Sequence, residues 1–532
     1  MKLLIKNGTI MDGTGKSGFY GSLLIEEGLI REIGPGIQGE FDRVIDAEGM
    51  VMCPGFIDTH SHSDLQVLVD PYIDAKIHQG ITTEILGQDG ISMAPLPLRY
   101  IDDWRKNLAG LDGNSNEIDW SYKTTAGYFK QLEAVGLELN EGYLAPHGNI
   151  RMEAMGLDNR LSAPSELEMM KNILRREFET GAIGLSTGLI YIPCAYADAR
   201  ELTELCKVTA EYNRVFVVHQ RSEADDILTS MKEILDIGRK TGVKIHFSHF
   251  KLCGRKNWDK TDAVIELLEV GKRDGLEISY DQYPYTAGST MLGVILPPWV
   301  HDGGAGKLVE RLKNRNTRER IIRDIQEGIP GWDNFIDFAG LDGIYITSVA
   351  NEENSLLIGK NLIELGQIRK MDPLQATFDL LVEENNAVGM VDFYGEEEGV
   401  KRFMSRPEQN VCTDGLLGGK PHPRAYGAFP RVLGKYVREE KVMTLEQAIY
   451  KMTYKAAKVF GLSDRGVLQK GKAADIVLFS PEDIIDRGTY TDPVQYPAGI
   501  RYVLVNGQVV LEDSVPCRRA AGKLIRTDAA LG

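Results

Sequence analysis

Short apolar runs rich in β-branched residues recur through the centre of the chain, and each run ends in a polar residue before a helix-like stretch. Three of them are 215–218 before His219, 244–248 before His249, and 277–280 before Asp281. This alternation is typical of a parallel sheet covered by helices. Roughly eight such units would close into an α/β barrel of the (β/α)8 TIM type, whose chemistry lies at the carboxyl ends of the strands.

The two ends of the chain carry a different pattern of short strands and tight turns. Residues 21–34 predict a hairpin closed at Glu27-Gly28, and residues 502–510 hold an Asn-Gly turn between strand-like runs. We therefore predict that residues 1–53 and 466–532 together form a small β-sandwich domain. The barrel then occupies residues 54–465.

One stretch, about 288–346, interrupts the alternation of the barrel. It contains Pro297-Pro298-Trp299, followed by charged helical sequence around 307–327. We predict an insertion that covers the barrel mouth as a lid. A surface excursion without a catalytic role is the alternative.

The charge balance and the cysteines restrict the partners of the chain. Lys and Arg number 61 against 77 Asp and Glu, a formal net charge of −16, which disfavours nucleic acid or an anionic membrane as the main partner. The sequence has no apolar run long enough for a bilayer, no evident signal peptide and no CxxC pair. We expect a cytoplasmic protein with reduced thiols and a small-molecule partner. The oligomeric state stays open.

Four histidines fall at the ends of predicted strands. His60 and His62 follow the apolar run 50–57, and their spacing places both imidazoles on one face of a strand. His219 and His249 each end a run of their own, and a barrel would gather all four around one axis. An HxH pair alone is a weak signal. Four neutral imidazoles at strand ends suit a divalent metal ion such as zinc.

Asp414 is the candidate for proton transfer. It follows the strand-like run 410–413 and precedes Gly415. A carboxylate at a strand end can contact a metal and also move protons, provided that its pKa lies near the working pH. A turn aspartate before glycine is the structural alternative.

Seven segments, in order along the chain, are similar to one enzyme family. They are 55–62, 80–83, 184–191, 219–223, 248–251, 281–288 and 422–424. The chain resembles the D-aminoacylase (N-acyl-D-amino-acid deacylase) family of the amidohydrolase superfamily over nearly its whole length. The resemblance implies a (β/α)8 barrel, a β-sandwich built from both termini and an insertion. It also implies hydrolysis of N-acyl-D-amino acids to a carboxylic acid and a free D-amino acid.

The resemblance also assigns roles to the strand-end residues. It implies that His60 and His62 line one metal site and that His219 and His249 line a tighter one. Asp414 would be both a metal ligand and the catalytic acid and base.

One turn departs from the family pattern. The family commonly has a zinc-binding cysteine in a Gly-Asn-Cys-Gly turn after the second strand, whereas residues 87–90 read Gly-Gln-Asp-Gly. Asp89 therefore takes the thiolate's place as a metal ligand, with Glu84 as a rival earlier in the strand. Carboxylates are harder than sulfur and bridge paired ions readily. We expect one or two Zn²⁺ ions or another divalent metal.

The substrate implied by the resemblance carries a free carboxylate and needs cationic partners. Lys251 and Arg424 are the candidates, with hydroxyl donors at Tyr191 and Tyr283 and a further contact at Ser289. An isolated Lys or Arg is usually a solvated surface charge. The position of these two beside strand-end ligands favours a role in binding.

Two other functions compete with this interpretation. Cyclic amide hydrolases such as hydantoinases and dihydroorotases commonly use a carboxylated lysine at the end of the fourth strand, and no lysine here takes that role. A non-catalytic scaffold on the same barrel would have lost metal ligands. Every expected ligand position in this chain holds a residue that can bind a metal.

Overall fold

The computed structural model describes residues 2–526. Its strands are β1 (Lys2–Ile10), β2 (Phe19–Glu26), β3 (Leu29–Gly34), β4 (Arg43–Asp46), β5 (Val51–Pro54), β6 (Phe56–Asp58), β7 (Ile81–Leu86), β8 (Asn140–Pro146), β9 (Gly184–Gly188), β10 (Val215–His219), β11 (Lys244–Phe247), β12 (Ile278–Gln282), β13 (Ala287–Met291), β14 (Ile344–Val349), β15 (Val388–Phe393), β16 (Gln409–Val411), β17 (Ile476–Phe479), β18 (Ile500–Val505), β19 (Gln508–Glu512) and β20 (Val515–Pro516).

The α-helices of the same residues lie mainly between the barrel strands and in the long connection before β16. They are α1 (Gln66–Val69), α2 (Asp74–Ile77), α3 (Ile101–Leu108), α4 (Thr125–Val135), α5 (His147–Met155), α6 (Pro164–Thr180), α7 (Ala199–Glu211), α8 (Ile227–Thr241), α9 (Thr261–Arg273), α10 (Ala305–Leu312), α11 (Arg315–Glu327), α12 (Phe335–Ala339), α13 (Leu362–Arg369), α14 (Pro373–Glu383), α15 (Glu397–Met404), α16 (Arg424–Arg431), α17 (Leu445–Met452) and α18 (Tyr454–Val459). Within residues 2–526, no helix combines the length and the apolar character needed to cross a membrane.

Eight parallel strands form the predicted barrel. Their order is β6-β7-β8-β9-β10-β11-β12-β16, which follows the order of the chain. The first and last strands meet at a single bridge between Ser61 and Gly415, beside a 2.9 Å hydrogen bond from the Asp414 amide to the His60 carbonyl. The (β/α)8 prediction is confirmed, and the carboxyl ends of all eight strands face the same way.

Strands from both ends of the chain build one sheet, as predicted. Its order is β20-β19-β18-β17-β5-β1-β2-β3, with β4 paired to β1. Ile5 and Ile25 from the start of the chain share one apolar core with Ile476 and Leu504 from its end. Met1 and residues 527–532, which the predicted sandwich included, lie outside the described residues.

The apolar run 50–57 is divided between the two units. Val51–Pro54 belongs to the terminal sheet and Phe56–Asp58 begins the barrel, with Gly55 between them. A Cβ at Gly55 would lie 2.1 Å from the hydroxyl oxygen of Thr82. The chain can therefore cross from sheet to barrel at this point only because residue 55 has no side chain.

The excursion before the last barrel strand is longer than the predicted 288–346. It fills the connection from β12 to β16 and contains an antiparallel sheet of order β13-β15-β14. The central strand β15 ends at Phe393, well beyond residue 346. Pairing between strands so distant in sequence leaves no local pattern, and the amphipathic helix α15 in the same connection has the periodicity of a barrel helix.

A buried charge network lies beneath the point where the barrel closes. The Lys76 ammonium is 2.7 Å from Asp58 and 2.8 Å from Glu84, and all three side chains are fully buried. Asp58 also accepts hydrogen bonds from the amide and hydroxyl groups of Thr413, at 2.8 and 2.5 Å. Burial lowers the pKa of Lys76, but the two carboxylates more than offset this and raise it above its ordinary value. This network joins the first barrel strand to the last.

Replacing Lys76 tests how much the closure depends on this network. Lys76→Met leaves Asp58 and Glu84 buried without their cation, so we expect the free energy of unfolding to fall by about 3–5 kcal/mol. The shift of the urea midpoint measures this loss. Lys2→Met, at an exposed strand end, is the control and should change stability by less than about 0.5 kcal/mol. Equal stability of the two variants would contradict the role given to the network.

Candidate metal centre

The four predicted histidines meet at the carboxyl end of the barrel. Nδ1 of His219 lies 2.8 Å from Nε2 of His249. The rings of His60 and His249 are 4.9 Å apart, and those of His60 and His62 are 5.2 Å apart. All four side chains are buried. The barrel thus brings together two histidine pairs that are distant in sequence.

Asp89 lies between the two pairs. Its Oδ2 is 3.6 Å from Nε2 of His60 and 3.5 Å from Nε2 of His62. Its Oδ1 is 3.9 Å from Nδ1 of His219 and 3.6 Å from Nε2 of His249. Burial alone would raise the pKa of Asp89, but the imidazoles, His60 foremost, hold it well below its usual range. One carboxylate therefore presents a separate oxygen to each pair.

Asp414 completes the side of the site formed by the HxH pair. Its Oδ1 is 3.3 Å from Nε2 of His62 and 3.7 Å from Nε2 of His60, and its Oδ2 is 2.9 Å from Arg424. Burial would raise the pKa of Asp414, but the Arg424 guanidinium and the nearby imidazoles hold it well below its usual range. The lowering of this pKa follows mainly from direct contact between the carboxylate and a fully buried arginine.

Three of the predicted ligands have left-handed backbone conformations. The φ angles are 55° at Asp89, 34° at His249 and 47° at Asp414. Residues other than glycine seldom adopt such angles, and they persist where the surrounding structure enforces them. At Asp89 the enforcement is tight: a Cβ on Gly188 would lie 2.4 Å from the Asp89 carbonyl oxygen. Strain of this kind clusters at functional sites.

The donor atoms fit a divalent metal ion. Both ring nitrogens of His60 and Oδ1 of Asp89 are buried without a hydrogen-bond partner, which is costly unless a cation is bound. Three groups have ligand atoms within 4.8 Å of one another: His60, His62 and Asp414; His60, Asp89 and His249; and His219, Glu223 and His249. Imidazole and carboxylate donors of this kind suit zinc and similar ions.

Two carboxylates near the centre were missed by sequence reasoning. Glu223 lies 3.3 Å from Nδ1 of His249 and 3.8 Å from Nε2 of His219. Its position four residues after a strand-end histidine was a usable signal. Asp112 lies 3.4 Å from Nδ1 of His62 but comes from an irregular segment after α3, where no pattern marks it. The rival ligand Glu84 accepts hydrogen bonds from Ser61 and Ser63 instead.

The predicted substrate-binding residues line one cavity, which the side chains of the candidate metal centre also line. The predicted substrate-binding residues are Tyr191, Lys251, Tyr283, Ser289 and Arg424. The excursion covers this cavity with Phe335 and Phe338. Asp333 of the same segment accepts hydrogen bonds from the Ser222 hydroxyl at 2.6 Å and the Glu223 amide at 2.7 Å. These contacts fix the predicted lid to the loop that follows His219.

The two cations of the cavity are both in contact with anions. Lys251 lies 2.7 Å from Glu223 and 2.7 Å from Nδ1 of His249. Lys251 reaches His249 through the turn that follows β11, which ends at Phe247. Arg424 donates to the Ser289 carbonyl at 2.9 Å as well as contacting Asp414.

The hydroxyl groups of the cavity bond mainly to one another or to backbone. Tyr283 and Tyr394 share a 2.5 Å hydrogen bond, and Tyr191 shares a 2.9 Å hydrogen bond with Thr290. The Ser289 hydroxyl donates to the Met390 carbonyl at 2.8 Å. The hydroxyl groups of the Tyr283–Tyr394 and Tyr191–Thr290 pairs can each form a further hydrogen bond to a ligand.

Comparison with known proteins agrees with this geometry. The amidohydrolase family profile matches residues 43–278 and 413–511, which leaves out the excursion. An N-acyl-D-glutamate deacylase from Alcaligenes xylosoxydans xylosoxydans is 33% identical over 100% of this chain and 98% of its own length. A D-aminoacylase from the same organism is 30% identical over 99% of this chain and 98% of its own.

A solved structure gives the same result. The N-acyl-D-glutamate deacylase of Bordetella bronchiseptica, complexed with zinc and a phosphonate inhibitor, is 33% identical, with a TM-score of 0.84 over 99% of both chains. The protein belongs to the amidohydrolase family, and within it to the D-aminoacylase (N-acyl-D-amino-acid deacylase) group.

Asp89 is the residue whose replacement tests the centre as a metal site. Asp89→Ala removes the oxygens that face both histidine pairs, so we expect metal affinity to fall by at least about a hundredfold. Asp89→Cys should retain zinc, because a thiolate ligates it well. The metal content per chain of both variants is measured by mass spectrometry after dialysis. Asp342→Ala, on an exposed turn, is the control. Full metal content in Asp89→Ala would contradict the assignment.

Proposed function

We propose that the chain is a metal-dependent hydrolase of N-acyl-D-amino acids, which it cleaves to a carboxylic acid and a free D-amino acid. The observation that carries this proposal is the pair of histidine groups bridged by Asp89, which opens onto a cavity containing Lys251 and Arg424. Such a site offers metal ligands for an amide carbonyl and cations for a free carboxylate. The names of the two relatives described above support a linear substrate with D configuration.

We assign the metal positions from the distances to Asp89. His60 and His62, with Oδ2 of Asp89 and with Asp414, would hold one ion. His219 and His249, with Oδ1 of Asp89, would hold the other. Zn²⁺ is our first choice, in one or two copies, and the carboxylate in place of a thiolate leaves room for a harder divalent ion. When bound, the metal would supply a Lewis acid that polarises the amide carbonyl and acidifies the attacking water.

We assign proton transfer to Asp414. Its contact with Arg424 favours the ionised carboxylate, which can accept a proton from the attacking water. It then delivers that proton to the leaving nitrogen as the C–N bond breaks. A carboxylate of the substrate would compete with Asp414 for Arg424, and losing that contact raises the pKa of Asp414 towards the value that a proton donor needs.

We place the substrate carboxylate between Lys251 and Arg424. Both cations line the cavity, and the Arg424 fork suits bidentate binding of a carboxylate. Tyr283 and Tyr191 would donate hydroxyl hydrogen bonds from either side. Ser289 contributes its backbone, which positions Arg424 through the carbonyl group.

The rival functions have less support. The fourth barrel strand, Gly184–Gly188, offers no lysine for the carboxylated ligand of many cyclic amide hydrolases. A scaffold would not keep buried imidazole nitrogens without partners, because they cost stability when no metal is bound. The cysteines Cys53, Cys194, Cys206, Cys253, Cys412 and Cys517 form no disulfide, which agrees with the reducing cytoplasm that we propose as its location.

Asp414→Asn tests the catalytic assignment. The amide cannot accept the proton of the attacking water, so we expect kcat on N-acetyl-D-methionine to fall by about a hundredfold to ten-thousandfold. Bound metal should stay near the wild-type amount, because the histidines and Asp89 are unchanged.

Asp342→Asn is the matched control and should keep wild-type turnover. Near-normal kcat in Asp414→Asn would overturn the role of Asp414. The same assay with N-acetyl-L-methionine tests the stereochemistry, and activity on the L substrate alone would overturn the proposed substrate class.

A further inference from the structure

Asp392 is a buried carboxylate of the substrate cavity that the proposed mechanism does not use. It lies near the end of β15 in the excursion sheet, and the residue is only 3% exposed. It lines the same cavity as His62, Lys251 and Asp414. Within residues 2–526, no other side chain forms a hydrogen bond or an ion pair with it, although its own backbone amide bonds to it and the charges of Lys251 and Arg424 act on it from a distance. Buried carboxylates are usually paired, so this one is expected to meet a partner from outside the chain.

The carboxylate is open to the cavity because its neighbour across the sheet is a glycine. Gly288 pairs with Asp392 in the β13–β15 ladder. A Cβ at Gly288 would lie 3.0 Å from Oδ1 of Asp392 and 3.5 Å from the Tyr283 hydroxyl. The carboxylate and the phenol therefore flank the same gap in the cavity wall.

This wall is also the one that binds the amino-acid part of the proposed substrate. Ser289, next to Gly288, accepts the hydrogen bond from Arg424 through its carbonyl. Tyr283 lies under Arg424, whose guanidinium is 4.4 Å from the ring centre. Lys251 is 5.8 Å from the same ring. If the acyl group of the proposed substrate lies at the metal centre and its α-carboxylate lies between these two cations, the amino-acid side chain is the part left to face Asp392.

The charges that line the cavity favour some substrate side chains over others. Its lining contains two cations of the Lys or Arg type, Lys251 and Arg424, which are in contact with Glu223 and Asp414. The α-carboxylate of a substrate already needs both of them. A second carboxylate, as in a D-glutamate or D-aspartate derivative, would face Asp392 without a third cation. A cationic side chain would instead give Asp392 the partner that it lacks.

We propose that Asp392 determines side-chain specificity, and that the preferred substrates are N-acyl-D-amino acids with a cationic side chain of the D-lysine type. This inference rests on the proposed deacylase function and sharpens it. A preference for cationic side chains would distinguish this chain from the relatives whose names specify acidic D-amino acids, although the proposed reaction at the metal centre is the same.

The test compares kcat/KM for N-α-acetyl-D-lysine, N-acetyl-D-glutamate and N-acetyl-D-methionine in the metal-loaded wild type and in two variants. In the wild type, we expect the lysine derivative to exceed the glutamate derivative by at least about a hundredfold, since like charges at close range oppose binding. Asp392→Ala and the isosteric Asp392→Asn should lower the value for the lysine derivative by about tenfold to a hundredfold. The value for the methionine derivative should stay within about threefold. Asp342→Ala, an exposed aspartate of the same excursion, is the control.

The outcomes separate the inference from the function on which it rests. Hydrolysis of N-acetyl-D-methionine without a preference for lysine over glutamate would overturn the inference and leave the deacylase function standing. An unchanged lysine-to-glutamate ratio in both Asp392 variants would overturn it as well. Failure of the wild type on all three D substrates would overturn both. Thermal midpoints of the variants at or above the wild-type value would show that any loss is not one of folding.

Discussion

The site depends on how the barrel closes between its first and last strands. β6 and β16 are short, and they meet through one bridge at Ser61 and one hydrogen bond from the Asp414 amide to the His60 carbonyl. The Asp58 carboxylate strengthens this contact because it binds Thr413 directly and holds the Lys76 ammonium beneath. A residue from the beginning of the chain and one near residue 414 thereby become neighbours. The proposed metal ligands His60, His62 and Asp414 therefore lie next to backbone that a buried ion network fixes.

The cost of burying charge also explains how the carboxylates and cations of the candidate metal centre are arranged. Asp89, Asp414 and Glu223 are buried, and each lies among imidazoles or beside Lys251 or Arg424. A buried charge is tolerated when opposite charge surrounds it, and one left alone is costly. A divalent cation between the histidine pairs would complete this balance. Asp392 lines the same cavity without contacting Lys251, Arg424 or a histidine, so a cationic group of a substrate could balance its charge.

The sequence predicted those features of the fold and the site that depend on local residue patterns. Apolar runs ending at His219 and His249 predicted strands of the barrel, and the spacing of His60 and His62 predicted that they would act together. It could not find Asp112, which comes from an irregular segment. It also ended the excursion too early, because the pairing of β15 with β13 and β14 joins strands far apart in the chain. No sequence pattern marks Asp392, because only the three-dimensional structure shows that no other side chain forms a hydrogen bond or an ion pair with it.

The division of labour between barrel and excursion follows from these contacts. The barrel strands and the loops that follow them supply every proposed metal ligand, and the closure network restricts how far those residues can change. The excursion supplies Phe335 above the cavity and Asp392 in its wall, and the family profile passes over this part of the chain. A substitution in β15 can therefore change the charge that faces the side chain of a substrate without displacing a proposed metal ligand.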